Sequence, residues 1–352
     1  MPNNNRTVHI IIFLAGALLA APSILAHHGA VTNGAIYLTD DFIELEGEIT
    51  EVFWRNPHAR ARMSVLDDNG EETIWELELG PGPRGFEGRG INADDFLGHA
   101  RAAGYQSKRD SDSLGVLHVL LPDGREYAQG NRELLWGDER VVNNSQELDP
   151  EKVAEARRTA DRIFRTWGRR MRNRPPAEGY AHLLNERGRE LAAQYDAARD
   201  NPELECRTGV VNSMMDPVPM EISDGGDSIS IHVAEYNVRR TIYLGDAASG
   251  VEPVPSPLGF SVGHWEGDVL VVQTTRIDFP YLDPYGTPQS DQVEYLERLS
   301  ASDDGATLNY SITVTDPVFY LAPITLERPR QWTPGVEIPE FNCAADWAGG
   351  AE

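Results

Sequence analysis

Apolar and polar residues alternate along residues 42–128 in short stretches that turn-forming residues separate. The alternation predicts five strands, and the Asp-Asp-Asn-Gly sequence at 67–70 predicts a hairpin turn between the second and the third. A stretch rich in glycine and proline (80–90) and a short helix beginning at Asn92 come between the third and fourth strands. Five short strands with a helix in this place predict a small OB-like barrel. We assign the OB-like β domain to residues 27–148.

A period of three and four residues replaces the alternation between residues 149 and 201. Asp149 and Pro150 are favourable residues for the start of a helix, and Pro175-Pro176 would end it. A second helix is predicted over about 177–198, so residues 149–201 form a helical connector. The apolar positions that predict the first helix are Val153, Ala156, Ala160, Ile163, Phe164, Trp167 and Met171.

Period-two alternation returns from Pro219 onward. Ile229, Ile231 and Val233 share one face of a strand, and His232 lies on the other. The pattern predicts seven or eight antiparallel strands in about 110 residues, which favours a closed or nearly closed sheet without exposed edges. We therefore predict a lipocalin-like antiparallel β-barrel over residues 202–352, and a chain that is mainly β.

The N-terminus has the layout of a signal peptide. Arg6 precedes an apolar run of 14 residues (8–21), Pro22-Ser23 follows it, and Ala26 offers a small residue at the cleavage edge. We assign residues 1–26 to a signal peptide and expect a periplasmic or secreted protein. An uncleaved anchor is the alternative. No later stretch approaches 18 apolar residues, so we expect no membrane insertion.

The net charge of the chain bears on its partners, and its cysteines predict a disulfide. The chain has 31 basic and 56 acidic residues, a net charge of −25, which repels nucleic acid and argues against it as a partner. The only two cysteines, Cys206 and Cys343, would form one disulfide in an oxidising compartment. Two buried thiols are the alternative interpretation.

Three histidines form a candidate metal site. Cleavage after Ala26 would make His27 the first residue, followed by His28. A free α-amine beside imidazole nitrogens suits Cu(II), and His58 is the natural third ligand, so copper is the candidate cofactor. In the alternative interpretation, His27 and His28 belong to a flexible terminus and His58 satisfies a turn.

The residues around these histidines resemble an exported bacterial family of unknown function. Members of that family begin with His-His after the signal and carry a Trp-x-Asn-Pro-His motif, which is Trp54 to His58 here. The resemblance covers roughly residues 27–128. It departs from the family at Gly29-Ala30, where a serine and an aromatic residue are usual. The resemblance implies no particular reaction.

The C-terminal part, about residues 200–345, resembles a second uncharacterised exported group. Gln289 stands where members of that group tend to have a histidine before Ser-Asp, which weakens an acid/base role there. The matching segments are 240–244, 261–268, Leu282-Asp283, Ser290-Asp291, Glu297-Arg298 and Asp316-Pro317.

Polar residues of the C-terminal part could converge inside the predicted barrel. Such a group in an apolar cup is typical of a small-molecule site, with His232, Tyr243 and His264 as ligand-binding candidates. The carboxylates with a histidine could also carry out acid/base catalysis, and the candidates are His264, Asp283, Asp291 and Glu297. In the alternative interpretation, Asp283 and Asp291 only bind backbone amides in a turn, and Glu297 is a cross-strand charge partner.

These observations favour a binding protein for a small, largely apolar molecule in the C-terminal barrel. Two alternatives remain open. One is a lyase, isomerase or hydratase that uses carboxylate and histidine groups of the same cup, and the other is a copper-binding protein acting through the N-terminal histidines. Motifs of other enzyme classes, such as HExxH, CxxC and the P-loop, do not occur.

We predict cleavage after Ala26. N-terminal sequencing of the protein isolated from the periplasm should read His27-His28-Gly29, because the apolar run and the small residue before the cut match what signal peptidase requires. A mature chain that begins at Met1 or at Pro22 would contradict both the signal peptide and the copper site.

Overall fold

The computed structural model describes residues 36–55, 58–67, 69–80, 82–130, 132–141, 148–168, 180–216, 218–338 and 340–341. Contacts between residues divide the chain into two compact units, with the boundary between Gln146 and Glu147. The candidate residues His27 and His28 and the cysteine Cys343 lie outside the described residues. No helix in the described part of the chain is long and apolar enough to cross a membrane.

The N-terminal unit is built mainly from strands. Its elements are β1 (Tyr37–Phe53), β2 (Arg60–Leu66), β3 (Glu72–Glu78), α1 (Pro83–Glu87), a 3₁₀ turn (Ala93–Phe96), β4 (Gly98–Ser107), β5 (Ser113–Leu120), β6 (Arg125–Ala128) and β7 (Glu139–Arg140).

The first five strands confirm the OB-like barrel. They follow the order β3-β2-β1-β4-β5, and a parallel pairing of β3 with β5 closes the sheet. The long β1 pairs with both β2 and β4, as a strand shared by the two halves of a barrel must do. The helical segment lies between β3 and β4, as the sequence predicts. Inward-facing residues such as Ile49, Met63, Leu77 and Val116 form the core of this unit.

The C-terminal unit combines a barrel with short helices. Its elements are α2 (Pro150–Thr159), β8 (Thr166–Gly168), a 3₁₀ turn (Ala181–Leu183), α3 (Glu186–Ala192), α4 (Ala197–Asp200), a 3₁₀ turn (Pro202–Glu205), α5 (Val210–Met215), β9 (Met220–Asp224), β10 (Ser228–Val233), a 3₁₀ turn (Glu235–Asn237), β11 (Val238–Leu244), a 3₁₀ turn (Gly245–Gly250), β12 (Phe260–Glu266), β13 (Val269–Thr275), β14 (Glu294–Ala301), β15 (Thr307–Thr315), β16 (Ile324–Glu327) and β17 (Arg330–Trp332).

The second sheet closes, as predicted, into a barrel. Its described strands follow the order β14-β13-β12-β11-β10-β9-β8-β17-β15, and β15 pairs with β14 to complete a ring of nine strands. The pair β11–β12 is parallel, so the chain must cross the length of the barrel through residues 245–259 between these strands. The other pairs of the ring are antiparallel. The sequence predicts the closure of the sheet. It does not predict the strands β8 and β17 or the parallel pairing of β11 with β12.

The predicted helical connector differs from the observed chain. The first helix ends at Thr159, well before the predicted end at Pro175-Pro176, and residues 166–168 form β8 of the barrel. Trp167, which we placed on the apolar face of a helix, is fully buried in the barrel core. Trp167 pairs with Met220 of β9 on one side and with Trp332 of β17 on the other, and both residues are far away in sequence. The chain around Trp167 is therefore a strand between β9 and β17. The predicted second helix is divided into the 3₁₀ turn at 181–183, α3 and α4.

Candidate ligand-binding site at the capped end of the C-terminal barrel

Three of the predicted site residues lie on the outer face of the barrel. On β10, Ile229, Ile231 and Val233 point inward, so His232 points outward, where burial and then the nearby Arg239 hold the pKa of its imidazole below the ordinary value. Strand alternation therefore excludes His232 from the barrel interior.

Tyr243 and His264 occupy outward positions for the same reason. Tyr243 stacks on Phe260 with ring centroids 5.4 Å apart. The side chain of His264 is 63% exposed, and its Nε2 lies 3.4 Å from the Glu266 carboxylate, to which Arg298 also donates. The predicted ligand-binding trio is therefore not brought together in a cup.

Asp283 and Asp291 lie in the segment between β13 and β14. Asp283 accepts hydrogen bonds from the backbone N–H groups of Tyr285 (3.0 Å) and Thr287 (3.1 Å) and from the Thr287 hydroxyl (2.6 Å). It thus organises a tight turn, as the alternative interpretation of the sequence expected. Asp291 is exposed.

Glu297 is the one predicted candidate on the inner face of the barrel. Its carboxylate forms a two-pronged ion pair with Arg240, at 2.7 Å to Nη1 and 2.5 Å to Nη2. Tyr310 and Thr274 also donate to this carboxylate, at 3.0 Å and 3.2 Å. Arg240 completes its own set with Ser261 and Thr274.

The Arg240–Glu297 pair is suited to holding the barrel together rather than to moving protons. Burial opposes the charged form of Arg240, but Glu297 outweighs burial and raises the pKa of the guanidinium. The polar neighbours occupy both carboxylate oxygens, so Glu297 offers no free position to a substrate. The pair agrees with the alternative interpretation of Glu297 as a cross-strand charge partner, while the neighbouring Arg298 contacts Glu266 on the outer face.

One end of the barrel is covered by a helical insertion, residues 180–216, which we call the cap. β9 begins at this end, because Met220 pairs with the last residue of β10. The same register places the β13–β14 segment (276–293) and the β15–β16 segment (316–323) at this end. The cap and these two segments are therefore neighbours.

Hydrogen bonds attach the cap to both neighbouring segments. The backbone N–H of Asn185 donates to the Phe319 carbonyl at 2.8 Å, and its side chain donates to the Val318 carbonyl at 2.7 Å. The Tyr195 hydroxyl donates to the Pro284 carbonyl at 3.0 Å. Gly286 has a φ of +83°, and a Cβ atom there would lie 2.1 Å from the Tyr195 ring, so close packing of the cap requires this glycine.

A buried arginine fixes the end of the cap to the barrel. Arg330 of β17 is almost completely buried and donates to the carbonyls of Met214 (2.8 Å), Asp216 (2.6 Å) and Val218 (2.6 Å). Burial lowers the pKa of Arg330 to about 10, so the guanidinium stays charged at neutral pH. The final turn of α5 is thereby held against the sheet.

Two tyrosine hydroxyls lie buried at the capped end, one on the cap and one on the β15–β16 segment. Tyr180 is 7% exposed and Tyr320 is 8% exposed, and neither hydroxyl has a hydrogen-bond partner among the described residues. Burial, followed by the Asp283 carboxyl, raises the pKa of Tyr180 to about 12. Burial chiefly raises the pKa of Tyr320 as well, and Asp283 is again one of the groups that act on it. Asp283 thus acts electrostatically on both hydroxyls.

Asp283 is half-buried. Burial raises its pKa, and the nearby Glu203 adds to the rise, while the donors of the turn oppose it. Glu203 belongs to the cap and accepts hydrogen bonds from Thr208 (3.2 Å) and Asn212 (3.0 Å). The capped end therefore combines two unused O–H donors with an acidic, desolvated surrounding.

His58 lies in the other unit, next to Glu78. Its Nδ1 contacts the Gly80 carbonyl, which makes Nδ1 the protonated nitrogen and leaves the lone pair on Nε2. Nε2 lies 3.9 Å from the Glu78 carboxylate, and the Tyr37 hydroxyl donates to the same carboxylate at 2.6 Å. Within the described ranges, no three histidine, cysteine or acidic residues are grouped as a metal site. The predicted copper ligands His27 and His28 lie outside those ranges.

A second buried polar pair in the N-terminal unit was missed at the sequence level. His118 Nδ1 lies 2.8 Å from Glu126, which also accepts the backbone N–H groups of Leu135, Trp136 and Gly137. Burial raises the pKa of Glu126, but these donors outweigh it and hold the pKa below the ordinary value. The pair fixes the loop that follows β6.

Sequence reasoning also missed the residues that matter most at the capped end. Tyr180 and Tyr320 lie 140 positions apart and carry no motif. Arg240 opened a segment of the family resemblance, and an arginine at an inward position of an alternating strand was the available signal of a buried ion pair.

We predict that Glu297→Gln lowers the free energy of unfolding of the C-terminal unit by about 3 kcal/mol, because it leaves the buried charge of Arg240 without its counter-charge. Urea denaturation followed by tryptophan fluorescence measures this change. Glu294→Gln, at an exposed position of the same strand, is the control and should change stability by less than about 0.5 kcal/mol. Equal stability of the two variants would contradict a structural role for the pair.

A family of unknown function, DUF6152, matches residues 17–115, which agrees with the resemblance of the N-terminal part to an uncharacterised family. No curated protein matches the chain. The match ends within β5, so it includes Trp54 and His58, which lie between β1 and β2, and it excludes the C-terminal barrel.

Proposed function

We propose that the protein binds a small, largely apolar molecule in its C-terminal unit, at the capped end of the barrel. One observation carries this proposal. The hydroxyls of Tyr180 and Tyr320 are buried and have no hydrogen-bond partner among the described residues. We further propose that the protein acts in the periplasm or outside the cell, on the basis of its N-terminal sequence.

The energetic cost of the two buried hydroxyls supports a ligand. A polar group without a partner in an apolar surrounding costs about 1–3 kcal/mol. A ligand that accepts hydrogen bonds from Tyr180 and Tyr320 would remove this cost, and its binding would be favoured by the same amount.

The surroundings of the hydroxyls fit an apolar ligand body. Leu184, Leu282 and Phe319 belong to the same buried apolar cluster as the two tyrosines. The rings of Tyr195 and Tyr281 meet edge to face at 4.7 Å where the cap contacts the β13–β14 segment. Small-molecule sites in proteins combine such an apolar lining with a few convergent polar groups.

Binding fits the geometry better than acid/base catalysis. His264 is exposed on the outer face, Asp291 is exposed, and Glu297 is occupied by Arg240. Of the predicted catalytic candidates, Asp283 alone lies at the capped end, and three donors hold it in a turn. A lyase, isomerase or hydratase would need a second proton-transfer group within reach of the substrate.

Native mass spectrometry of the protein purified from the periplasm tests the proposal. We expect the wild-type protein to carry a bound molecule of defined mass. Tyr320→Phe and Tyr180→Phe should each release this molecule at a concentration of organic solvent about three- to tenfold lower than the wild type requires, because each variant loses one hydrogen bond to the ligand. Tyr243→Phe is the matched control, since its ring stacks on the outer face. A ligand-free wild-type protein, or equal retention in all variants, would overturn the proposal.

Copper binding is a second candidate function, and the orientation of His58 favours it. The contact of Nδ1 with Gly80 leaves Nε2 available, the arrangement common for histidines that bind metals. Tyr37 is joined to Glu78, the carboxylate beside His58. His27 precedes Tyr37 by ten residues, and a chain of that length can extend about 35 Å, so the mature N-terminus has the reach to approach His58.

A Cu(II) titration distinguishes this candidate. We expect the chain that begins at His27 to bind more tightly than a chain that retains Ala26, because the extra residue removes the amine from the chelate. Binding should weaken as pH falls below about 6.5, where histidine nitrogens become protonated. His58→Ala should reduce affinity, and His99→Ala, an exposed histidine beside Glu46, is the control. Equal affinity of the two chains would exclude the terminus as a ligand.

A further inference from the structure

We infer, on the basis of the copper binding proposed above, that Glu78 is a further ligand of the same site and binds the ion together with His58. Glu78 lies outside the Trp-x-Asn-Pro-His motif and is not one of the metal ligands that the sequence predicts. The geometry that carries this assignment lies where the start of β2 meets the end of β3. There each of the two side chains is held through one polar atom, and a second polar atom of each lies near the other side chain.

The backbone brings the two side chains together. Glu78, the last residue of β3, pairs with Arg60, the first residue of β2. The pairing continues beyond both strands, because the backbone N–H of Leu79 donates to the Ala59 carbonyl at 3.0 Å. His58 lies one position further along, so His58 and Glu78 are diagonal neighbours across the two chain segments, a separation that long side chains can bridge.

His58 offers its Nε2 atom at this place. Its Nδ1 contacts the carbonyl of Gly80, so the proton lies on Nδ1 and the lone pair lies on Nε2. The side chain is 25% exposed, which gives an ion access from solvent. A histidine ring that donates one N–H to a backbone carbonyl has a fixed orientation, and histidines that bind metals have this arrangement.

The carboxylate of Glu78 is oriented in a similar way. The hydroxyl of the buried Tyr37 donates to Oε2 at 2.6 Å. The other oxygen, Oε1, lies 3.9 Å from Nε2 of His58. The hydrogen bond from Tyr37 therefore occupies one oxygen and leaves Oε1 for a further partner. Carboxylates that bind metals are held by hydrogen bonds of this kind.

The separation of Nε2 and Oε1 fits two ligands of one ion. At 3.9 Å the two atoms are too far apart for a direct hydrogen bond, which requires about 3 Å. Two atoms that each lie about 2 Å from the same metal ion are about 3–4 Å apart, and the longer distance applies when they lie on opposite sides of the ion. An imidazole nitrogen with a carboxylate oxygen also suits Cu(II), which favours mixed nitrogen and oxygen ligands.

The charge of Glu78 matters because positive side chains also act at this place. Burial and then Glu78 raise the pKa of the Tyr37 hydroxyl, whereas Arg60 and Arg109 act in the opposite direction. The two arginines would oppose the binding of a cation near Tyr37, and the negative charge of Glu78 offsets them. An uncharged amide at position 78 should therefore be a much weaker ligand than the carboxylate, although its shape is the same.

A Cu(II) titration of the chain that begins at His27, in competition with a chelator of known affinity, tests the role of Glu78. Loss of a group that merely orients a ligand lowers metal affinity about 10- to 100-fold, so Glu78→Gln should raise the Kd for Cu(II) at least about tenfold. Glu78→Asp keeps the charge and should recover part of the affinity. Glu76→Gln is the matched control, because Glu76 lies on the same strand and contacts Arg62 instead.

Electron paramagnetic resonance of the Cu(II)-loaded protein separates a ligand from a structural residue. Glu78→Gln should change the spectrum, because the ion loses a carboxylate oxygen. Tyr37→Phe should weaken binding about tenfold and leave the spectrum of the bound ion unchanged, because Tyr37 only positions the carboxylate. Thermal unfolding of the metal-free variants shows that each is folded. A purely structural role of Glu78 would lower this stability and leave the Cu(II) spectrum as in the wild type.

The same titrations separate a failure of Glu78 from a failure of the copper candidate. If Glu78→Gln and Glu78→Asp bind Cu(II) as tightly as the wild type while His58→Ala binds it more weakly, Glu78 is not a ligand and the copper site stands. If the wild-type chain that begins at His27 does not bind Cu(II), both the role of Glu78 and the copper candidate are wrong. Weaker binding by Glu78→Gln and by His58→Ala, with unchanged binding by Glu76→Gln, supports both.

Discussion

Closure of the C-terminal sheet is the constraint on which the rest of this unit depends. When β14 pairs with β15, every second residue of each strand faces an interior that is closed to water. Polar groups inside must therefore satisfy one another. Arg240 and Glu297 do so with two direct contacts and with Ser261, Thr274 and Tyr310 around them. Such a network holds the strands together, and the oxygens of its carboxylate are all occupied by donors from the protein. We therefore do not place a substrate or ligand site in the middle of the barrel.

At the capped end, by contrast, not all buried polar groups have a hydrogen-bond partner among the described residues. There the cap and two loops cover the barrel, and the register places them side by side. Asp283 accepts three hydrogen bonds within its turn. Tyr195 joins the cap to the β13–β14 segment, because its hydroxyl donates to the Pro284 carbonyl and its ring packs against Gly286. Tyr180 and Tyr320 are buried in the same region without partners. Ligand recognition is the role that we propose for these two hydroxyls.

The two units place their polar residues differently. In the N-terminal unit, Glu126 gathers His118 and three backbone N–H groups to hold a loop on the OB-like barrel. His58, by contrast, keeps a nitrogen lone pair free beside Glu78. The first arrangement is structural, because every position around the carboxylate is used. The second has capacity for a ligand, which is why the copper hypothesis applies to His58 and not to His118.

The sequence by itself determined both β architectures. Alternation of apolar residues and turn residues acts locally, so it revealed the OB-like strand order and the closed second sheet. It also predicted that Asp283 binds backbone amides, because the turn residues are neighbours in the chain. Only the tertiary structure decided the faces of Tyr243 and His264, the strand around Trp167, the partner of Glu297 and the burial of Tyr180 and Tyr320. Each of these depends on the register between strands or on a contact across more than 50 residues, and such pairings are selected by packing of the whole core rather than by any local pattern.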